Sequence, residues 1–506
     1  MPRRLAVAAL AFWALLAVLF VQRLAGRSLD DFFITYRYAW NLAHGNGFVF
    51  NPGERVYGVT EPGMVLWLAF WTRLTRVPVH WLGTVTTAVG MLATATLMLW
   101  EGVRSGRGLA CFLGGTLFMG SAFLWSVHGA GVPMVLALLT AAAVWGERRP
   151  GLAGGLAGAA VWFRPDAGVG LAALGLLLWR ERRRFPLRFA LVAALVLAAG
   201  LLASGLYFGA VIPNTLAAKR SFAIWDPAAR ASGAAFWAGA TPLLRRHFGG
   251  LWPTMAVLGV AGQWPLWKRG GRPGRLLALF GGSLALLYPL LRVPFFAWYV
   301  VPTVTALLYG LGFAVAGVAG KILSFLVSPL PAGGGREMGE GPGVRGHRAA
   351  TPARVCLGIL LFLLAAVPEA LRGWRWAAAA ADEPHHQAYR AAGLWIHDHS
   401  SPAATVSALE VGTLAYFSER RFRDLLGLVT PEAIGYVERR NVAQAFYDDP
   451  TELLVLKPSL EGLLGPLSRT PWFRRRYEEA VRFPAGGSDE VVIFRHRVGP
   501  HVPPLE

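Results

Sequence analysis

Two adjacent carboxylates, Asp30 and Asp31, head an aromatic, helix-like run, DDFFITYRYAWNLA, directly after the first apolar segment. A carboxylate at a membrane surface can serve as a general base, because partial desolvation favours its taking up a proton. Asp30 is predicted as the N-cap of a helix starting at Asp31. On that helix Asp30, Ile34, Arg37 and Asn41 share a face, through i, i+4, i+7, i+11 spacing. Phe33, Tyr36 and Trp40 form a neighbouring aromatic stripe. Arg37 is spaced to hold an anionic leaving group or to orient the base. The same residues also fit a plainer role, in which the acids cap an interfacial helix and the aromatics form a membrane belt.

Further candidates lie at junctions between apolar runs. Arg164 and Asp166 flank Pro165 inside otherwise apolar sequence, where ionisable groups are costly and often functional, or else form a self-paired turn. His128 stands at another junction, as a substrate contact or an interface residue. Asn214 and Lys219 open a long polar loop, Lys219 followed at once by Arg220. Arg292 precedes the stretch WYVVP (Trp298 to Pro302). Lys219, Arg220 and Arg292 sit against the usual charge bias of membrane loops, which suits an anionic partner such as a lipid phosphate.

The elements that must position these residues are mostly membrane helices. The chain has 506 residues, 55% of them hydrophobic and only 15% charged, with mean hydropathy +0.44. A soluble protein carries nearer a quarter charged residues. The net charge of +20 comes mainly from arginines clustered in short loops between apolar runs. Such placement fits the cytoplasmic side of a membrane facing anionic lipid, so no nucleic-acid partner is expected. Cys111 and Cys356 both lie in apolar runs, which argues against a disulfide framework.

Leu5 to Leu24 reads as an uncleaved anchor with Arg3 and Arg4 on the cytoplasmic side. The acid-headed loop, residues 25–78, is then external. Gly63 to Thr72 is too short to span and reads as an interfacial or re-entrant piece. Alternating crossings follow, including single ones at Leu109 to Val127 and Leu251 to Trp267, with Pro213 to Phe248 as an external loop. The fold class expected is a polytopic α-helical membrane protein with about 11 transmembrane helices over residues 1–375. A Gly/Pro-rich cytoplasmic linker (330–352) precedes a last crossing at Val355 to Leu371. Residues 380–506 are expected to form a small soluble external α/β domain. Its strands are predicted at Ala404–Ala408, Arg421–Leu425, Leu453–Leu456 and Glu490–Arg495, and its helices at His386–His397 and Pro431–Arg440.

With these pieces in line, the chain resembles the GT-C class of polytopic glycosyltransferases, which use polyprenyl-phosphate sugars. The nearest family is that of the mycobacterial terminal β-1,2-arabinofuranosyltransferase and its bacterial relatives. The first loop, DDFFITYRYAWNLAHGNGFVFNPGERVYGVTEP, carries most of the likeness. FRPD (Phe163 to Asp166), IPNTLAAK (Ile212 to Lys219), WYVVP, and VSALEVGTLAYFSERRFRDLLGLV (Val406 to Val429) add to it. One element departs: the resemblance implies a glutamate in a GxET-like junction, but the chain reads HGAGVP (His128 to Pro133).

The resemblance implies an inverting transfer from a polyprenyl-phosphate sugar donor to a hydroxyl of a glycan, lipid or protein acceptor. The base falls on Asp30 or Asp31, with Asp30 preferred for its shared face with Arg37. Donor phosphate falls on Arg37, Lys219 or Arg292, and substrate contacts on Tyr36, Asn41, His128, Arg164, Asp166 and Asn214. No cofactor is certain. A divalent metal stays open, since some relatives of this fold need one and others do not. The placement expected is the bacterial inner membrane, with site and C-terminal domain on the outer side and membrane lipids as neighbours. A transporter or lipid flippase is the alternative; it calls for internal repeats and midplane charges, and the charged candidates lie instead at segment ends.

Overall fold

The computed structural model describes residues 3–223, 234–327, 360, 368, 370–380 and 383–497. Long apolar stretches become helices because backbone amides are then bonded within their own segment, the arrangement an apolar solvent demands. Eleven helices open the chain: α1 (Arg3–Leu24), α2 (Asp30–Ala43), α3 (Pro62–Thr75), α4 (Val79–Arg104), α5 (Gly108–Gly120), α6 (Ala122–Ser126), α7 (Val132–Trp145), α8 (Pro150–Phe163), α9 (Ala167–Arg182), α10 (Leu187–Phe208) and α11 (Asn214–Ala223). Later helices include Ala234–Phe248, Trp252–Ala261, Gln263–Arg269, Gly271–Leu290 and Val301–Val327.

Among the described residues, five stretches are long and apolar enough to cross a membrane: Arg4–Leu24, Val79–Arg104, Leu187–Phe208, Gly271–Leu290 and Ala297–Lys321. The apolar helices Gly108–Gly120, Val132–Trp145 and Pro150–Phe163 are shorter. Two predicted single crossings are broken. Leu109 to Val127 divides at Ser121, whose extended backbone (φ −68°, ψ 114°) separates α5 from α6. Leu251 to Trp267 divides at Gly262, a position where a Cβ would lie 2.0 Å from the Gly310 carbonyl oxygen. The predicted linker 330–352 lies outside the described residues, as does nearly all of the Val355 to Leu371 crossing. The stretch read as interfacial is helix α3, started by Pro62 at its first turn, where proline lacks only an amide that would be unbonded anyway. It buries Met64, Val65 and Leu68 while Leu66, Phe70 and Leu74 face outward.

The C-terminal region is a small α/β unit, with strands β1 (Thr405–Ala408), β2 (Arg421–Asp424), β3 (Leu453–Leu456), β4 (Tyr477–Gly486) and β5 (Asp489–His496). The sheet order is β2-β1-β3-β5-β4. β1 is parallel to β2 and β3, and β5 is antiparallel to β3 and β4. The predicted strands are all present. β4 was not foreseen, because its outward residues are charged and it carries Pro484 and two register shifts. Those are marks of an edge strand rather than of a buried one. Helix Pro384–His399 agrees with prediction, while Pro431 to Arg440 resolves into a short 3-10 turn and the helix Ile434–Glu438.

This unit shares one hydrophobic core with the membrane helices: Phe33 of α2, Trp298, Val411 and Leu414 belong to the same buried cluster. The Phe33 ring meets those of Tyr416 and Phe417 at 5.4 and 5.6 Å between centroids.

Candidate active site

The two aspartates are successive on α2, which begins at Asp30 with Leu29 as its N-cap, one residue earlier than predicted. Successive helical residues point about 100° apart. The acids therefore face different surroundings. Asp30 does not cap its own helix. It accepts hydrogen bonds from the backbone amides of Gly412 (3.1 Å) and Thr413 (2.7 Å), so it caps the helix Gly412–Ser418 across the domain boundary. Burial and the nearby Glu410 carboxylate raise its pKa, and the two amide bonds partly offset them.

Asp31 lines a cleft of about 50 Å³ together with Thr35, Glu61, Arg164, Thr215, Lys219, Trp298 and Leu428. Burial raises the Asp31 carboxyl above the usual carboxylate range; the Lys219 ammonium opposes that shift, and Asp30 adds to it. Lys219, on α11, lies over the rings of Phe296 (4.6 Å) and Trp298 (5.5 Å), so its charge sits against aromatic faces. Trp298 in turn packs on Phe32 of α2 at 5.2 Å. The Thr215 hydroxyl, buried in the wall, has no hydrogen-bond partner among the described residues. Leu428 comes from the C-terminal unit, whose loop is shaped by the buried Asp424. Asp424 accepts from the amides of Leu426 (2.8 Å) and Val429 (3.1 Å), and burial pushes its pKa up to about 6.

Behind the cleft, Arg164 donates to Glu61 (2.9 Å) and to Asp166 (2.7 Å), and the Tyr288 hydroxyl donates to the same Asp166 oxygen. This is a self-paired turn enlarged by a second acid. Burial lowers the Arg164 pKa, but Asp166 and Glu61 outweigh it and hold the guanidinium charged. Glu61 belongs to the first loop, and nothing in its sequence spacing marks it as a site residue. Its other oxygen accepts from the Gly131 amide at 3.1 Å. A carboxylate thus does stand at the HGAGVP junction, delivered by the first loop instead of the junction itself. Gly131 admits it closely: a Cβ there would lie 2.7 Å from the Phe163 carbonyl oxygen and 3.1 Å from Glu61. The visible signal was an acid placed just before a helix-starting proline.

The remaining expected site residues lie outside the cleft lining. Arg37, on the α2 face turned to the C-terminal unit, donates through Nε to the Phe50 carbonyl (3.3 Å) and stacks over Trp40. Burial lowers its pKa to about 10. The expected pairing of Asp30 with Arg37 does not form: Asp30 is taken by the amides of Gly412 and Thr413, and Arg37 by the Phe50 carbonyl. Asn41 donates to the carbonyls of Val49 (2.9 Å) and Phe50 (2.8 Å), and so folds the first loop back on α2. Tyr36 is fully buried and bonded to Ser28. His128 bridges the carbonyls of Trp125 and Leu24. Asn214 donates to Gly427 (2.7 Å) and Leu428 (3.1 Å), and clamps α11 to the C-terminal unit. Arg292 is exposed, with a left-handed backbone (φ 53°).

The two adjacent acids do not converge, and among the described residues no group of three or more His, Cys, Asp or Glu side chains could hold a metal ion. This donor set does not fit a metal site built by the described residues.

This helical bundle with its small C-terminal α/β unit shares its fold with solved GT-C membrane glycosyltransferases. Within that class the chain is similar to ArnT from Cupriavidus metallidurans in the apo state, at 15% identity, with 96% of this chain and 97% of that one covered and a TM-score of 0.58. The same enzyme bound to undecaprenyl phosphate gives a TM-score of 0.56 at 15% identity, over 97% of this chain and 98% of that one. The archaeal oligosaccharyltransferase AglB from Archaeoglobus fulgidus, in complex with an inhibitory peptide and a dolichol-phosphate, gives 0.52 at 13% identity, over 96% of this chain and 74% of that one. At such identities the likeness establishes the fold. Residues 376–494 match a domain family of unknown function, DUF8728. No curated protein sequence matches the chain. With its apolar helices, this fold makes the chain a multi-pass membrane protein.

Proposed function

We propose that this chain is a membrane glycosyltransferase that moves a sugar from a polyprenyl-phosphate donor to an acceptor hydroxyl with inversion. The observation that carries the reading is that Asp31 and Lys219 line one partly desolvated cleft, on a fold whose solved examples include complexes with undecaprenyl phosphate and dolichol-phosphate. In the proposed step the acceptor oxygen attacks the anomeric carbon and its proton passes to Asp31. The bond from that carbon to the phosphate oxygen breaks, and the phosphate leaves with the electron pair beside Lys219. A cation fixed where negative charge develops is effective because it needs no reorganisation at the moment of reaction. The Thr215 hydroxyl is available as a further donor to phosphate. Glu61, Arg164, Asp166 and Tyr288 form the rigid wall behind. The cleft admits only small groups, so the donor's sugar enters as α11 and the Leu428 loop part.

In this reading the cleft and the C-terminal unit face the outer side of a bacterial inner membrane, where lipid-linked donors are used. Arabinofuranose rests on the first loop's resemblance alone, and a panel of sugars is the direct test. Purified protein is incubated with polyprenyl-phosphate sugars and candidate glycan, lipid and peptide acceptors, and released polyprenyl phosphate is measured. One donor should turn over. Asp31→Asn should lower that rate by about 10² to 10⁴, the usual contribution of a general base, with its elution profile unchanged. Wild-type turnover in Asp31→Asn would remove Asp31 from the mechanism.

A further inference from the structure

The end of the bundle opposite the cleft carries a second, larger cavity, of about 520 Å³. The distance follows from the helix Gly271–Leu290. Its Tyr288 reaches Asp166 behind the cleft, and Arg272 lies sixteen residues back, about 24 Å at 1.5 Å per residue. That separation approaches the hydrocarbon thickness of a bilayer, so the cavity lies near the opposite membrane surface.

Its floor is an ion-pair network. Arg272 bonds Glu147 (3.1 Å) and Glu181 (2.6 Å), together with the Ala143 carbonyl (3.0 Å), and Arg275 bonds Glu181 (3.1 Å). Arg272 keeps only 13% of its side chain exposed. Both floor arginines are therefore neutralised by acids. The rest of the lining sets three arginines, Arg104, Arg148 and Arg182, against one glutamate, Glu101. Arg104 stacks over Trp100 at 4.8 Å, Arg182 donates to the carbonyls of Gly146 and Glu147, and Arg148 is exposed. None of these three forms an ion pair among the described residues. Counting the whole lining, five arginines face three glutamates, a surplus of two positive charges. Outward from this end, Trp100, Leu176 and Trp179 present apolar surface.

We propose that this cavity is a binding site for the phosphate headgroup of an anionic phospholipid, held by Arg104, Arg148 and Arg182, with its acyl chains along the outward faces of α4 and α9. Guanidinium groups bind phosphate oxygens through paired N–H donors, and basic pockets between membrane helices favour anionic headgroups. The lipid source, as opposed to a soluble phosphate, follows from the apolar surface that adjoins the rim.

The test uses the full-length protein in detergent, with thermal unfolding and native mass spectrometry as readouts. Phosphatidylglycerol and cardiolipin should raise Tm and remain bound, phosphatidylcholine should not, and added salt should weaken the effect. Arg104→Gln with Arg148→Gln should lower apparent affinity for the anionic lipid about thirtyfold, from the usual worth of two surface cations. The charge-matched pair Arg184→Gln with Arg188→Gln, whose residues are exposed and outside the lining, should bind as wild type. Equal shifts with phosphatidylcholine would overturn the proposal. So would full binding by the Arg104/Arg148 pair, or an equal loss in the control pair. Stabilisation by glycerol 3-phosphate matching that by lipid would replace the lipid with a soluble anion.

Discussion

Burial alone would favour protonated Asp31, and Lys219 opposes it. A base works only when ionised, so the acid limb of the rate should lie above the ordinary aspartate value of about 3.9, with activity rising as pH rises through it. Removing the ammonium in Lys219→Gln has two consequences. The limb should move to still higher pH, because the lowering influence is gone. The plateau rate should fall by about 10² to 10³, the usual cost of deleting one preorganised stabilising group. A pH–rate profile of kcat/KM separates the two: a merely structural defect lowers the plateau and leaves the limb where it was.

At the scale of elements, α2 serves both domains at once. One edge presents Asp31 to the cleft, and the next presents Asp30 to the helix Gly412–Ser418. The approach at Gly412 is close enough that a Cβ there would lie 2.0 Å from the Asp30 carbonyl oxygen. Gly412→Ala must therefore push the two helices apart, with an overpacking cost of about 1 to 3 kcal/mol. It should lower Tm and reduce turnover together, since the displaced unit also carries Leu428 into the cleft. Gly168→Ala, in α9 with nothing within 4 Å of the added atom, is the matched control and should leave both unchanged.

At the scale of the whole molecule, the roof over the cleft hangs on the loop that Asp424 organises and Asn214 clamps. Asp424 has a pKa of about 6 in the folded chain, above the unfolded value of about 3.9. The folded state thus holds the proton more tightly. That contribution to stability is fully present below about pH 4 and is lost as pH rises through about 6, a swing of about 3 kcal/mol. The wild-type Tm, taken relative to that of Asp424→Asn at each pH, should fall across that window and then level off. A flat difference would remove Asp424 as the source.

Much of this was legible in the chain itself. Apolar run length marks the helical bundle, a drop in hydropathy marks the α/β unit, and Asp30, Asp31, Arg164, Lys219 and WYVVP (Trp298 to Pro302) stand out by residue type and position alone. Helical spacing also placed Asp30 and Arg37 on one face. It could not say what that face meets, because periodicity describes a helix and not its neighbour. What Asp30 meets, the Gly412–Ser418 helix, lies nearly 400 residues away in sequence. Glu61 shows the same limit: its meeting with Gly131 and Arg164 joins three separate loops. The sequence by itself determined which segments leave water and which side chains carry charge at their ends, since both are properties of local composition. Only the tertiary structure decided which charges share a cleft, because burial and pairing depend on distances between segments that the order of residues does not contain.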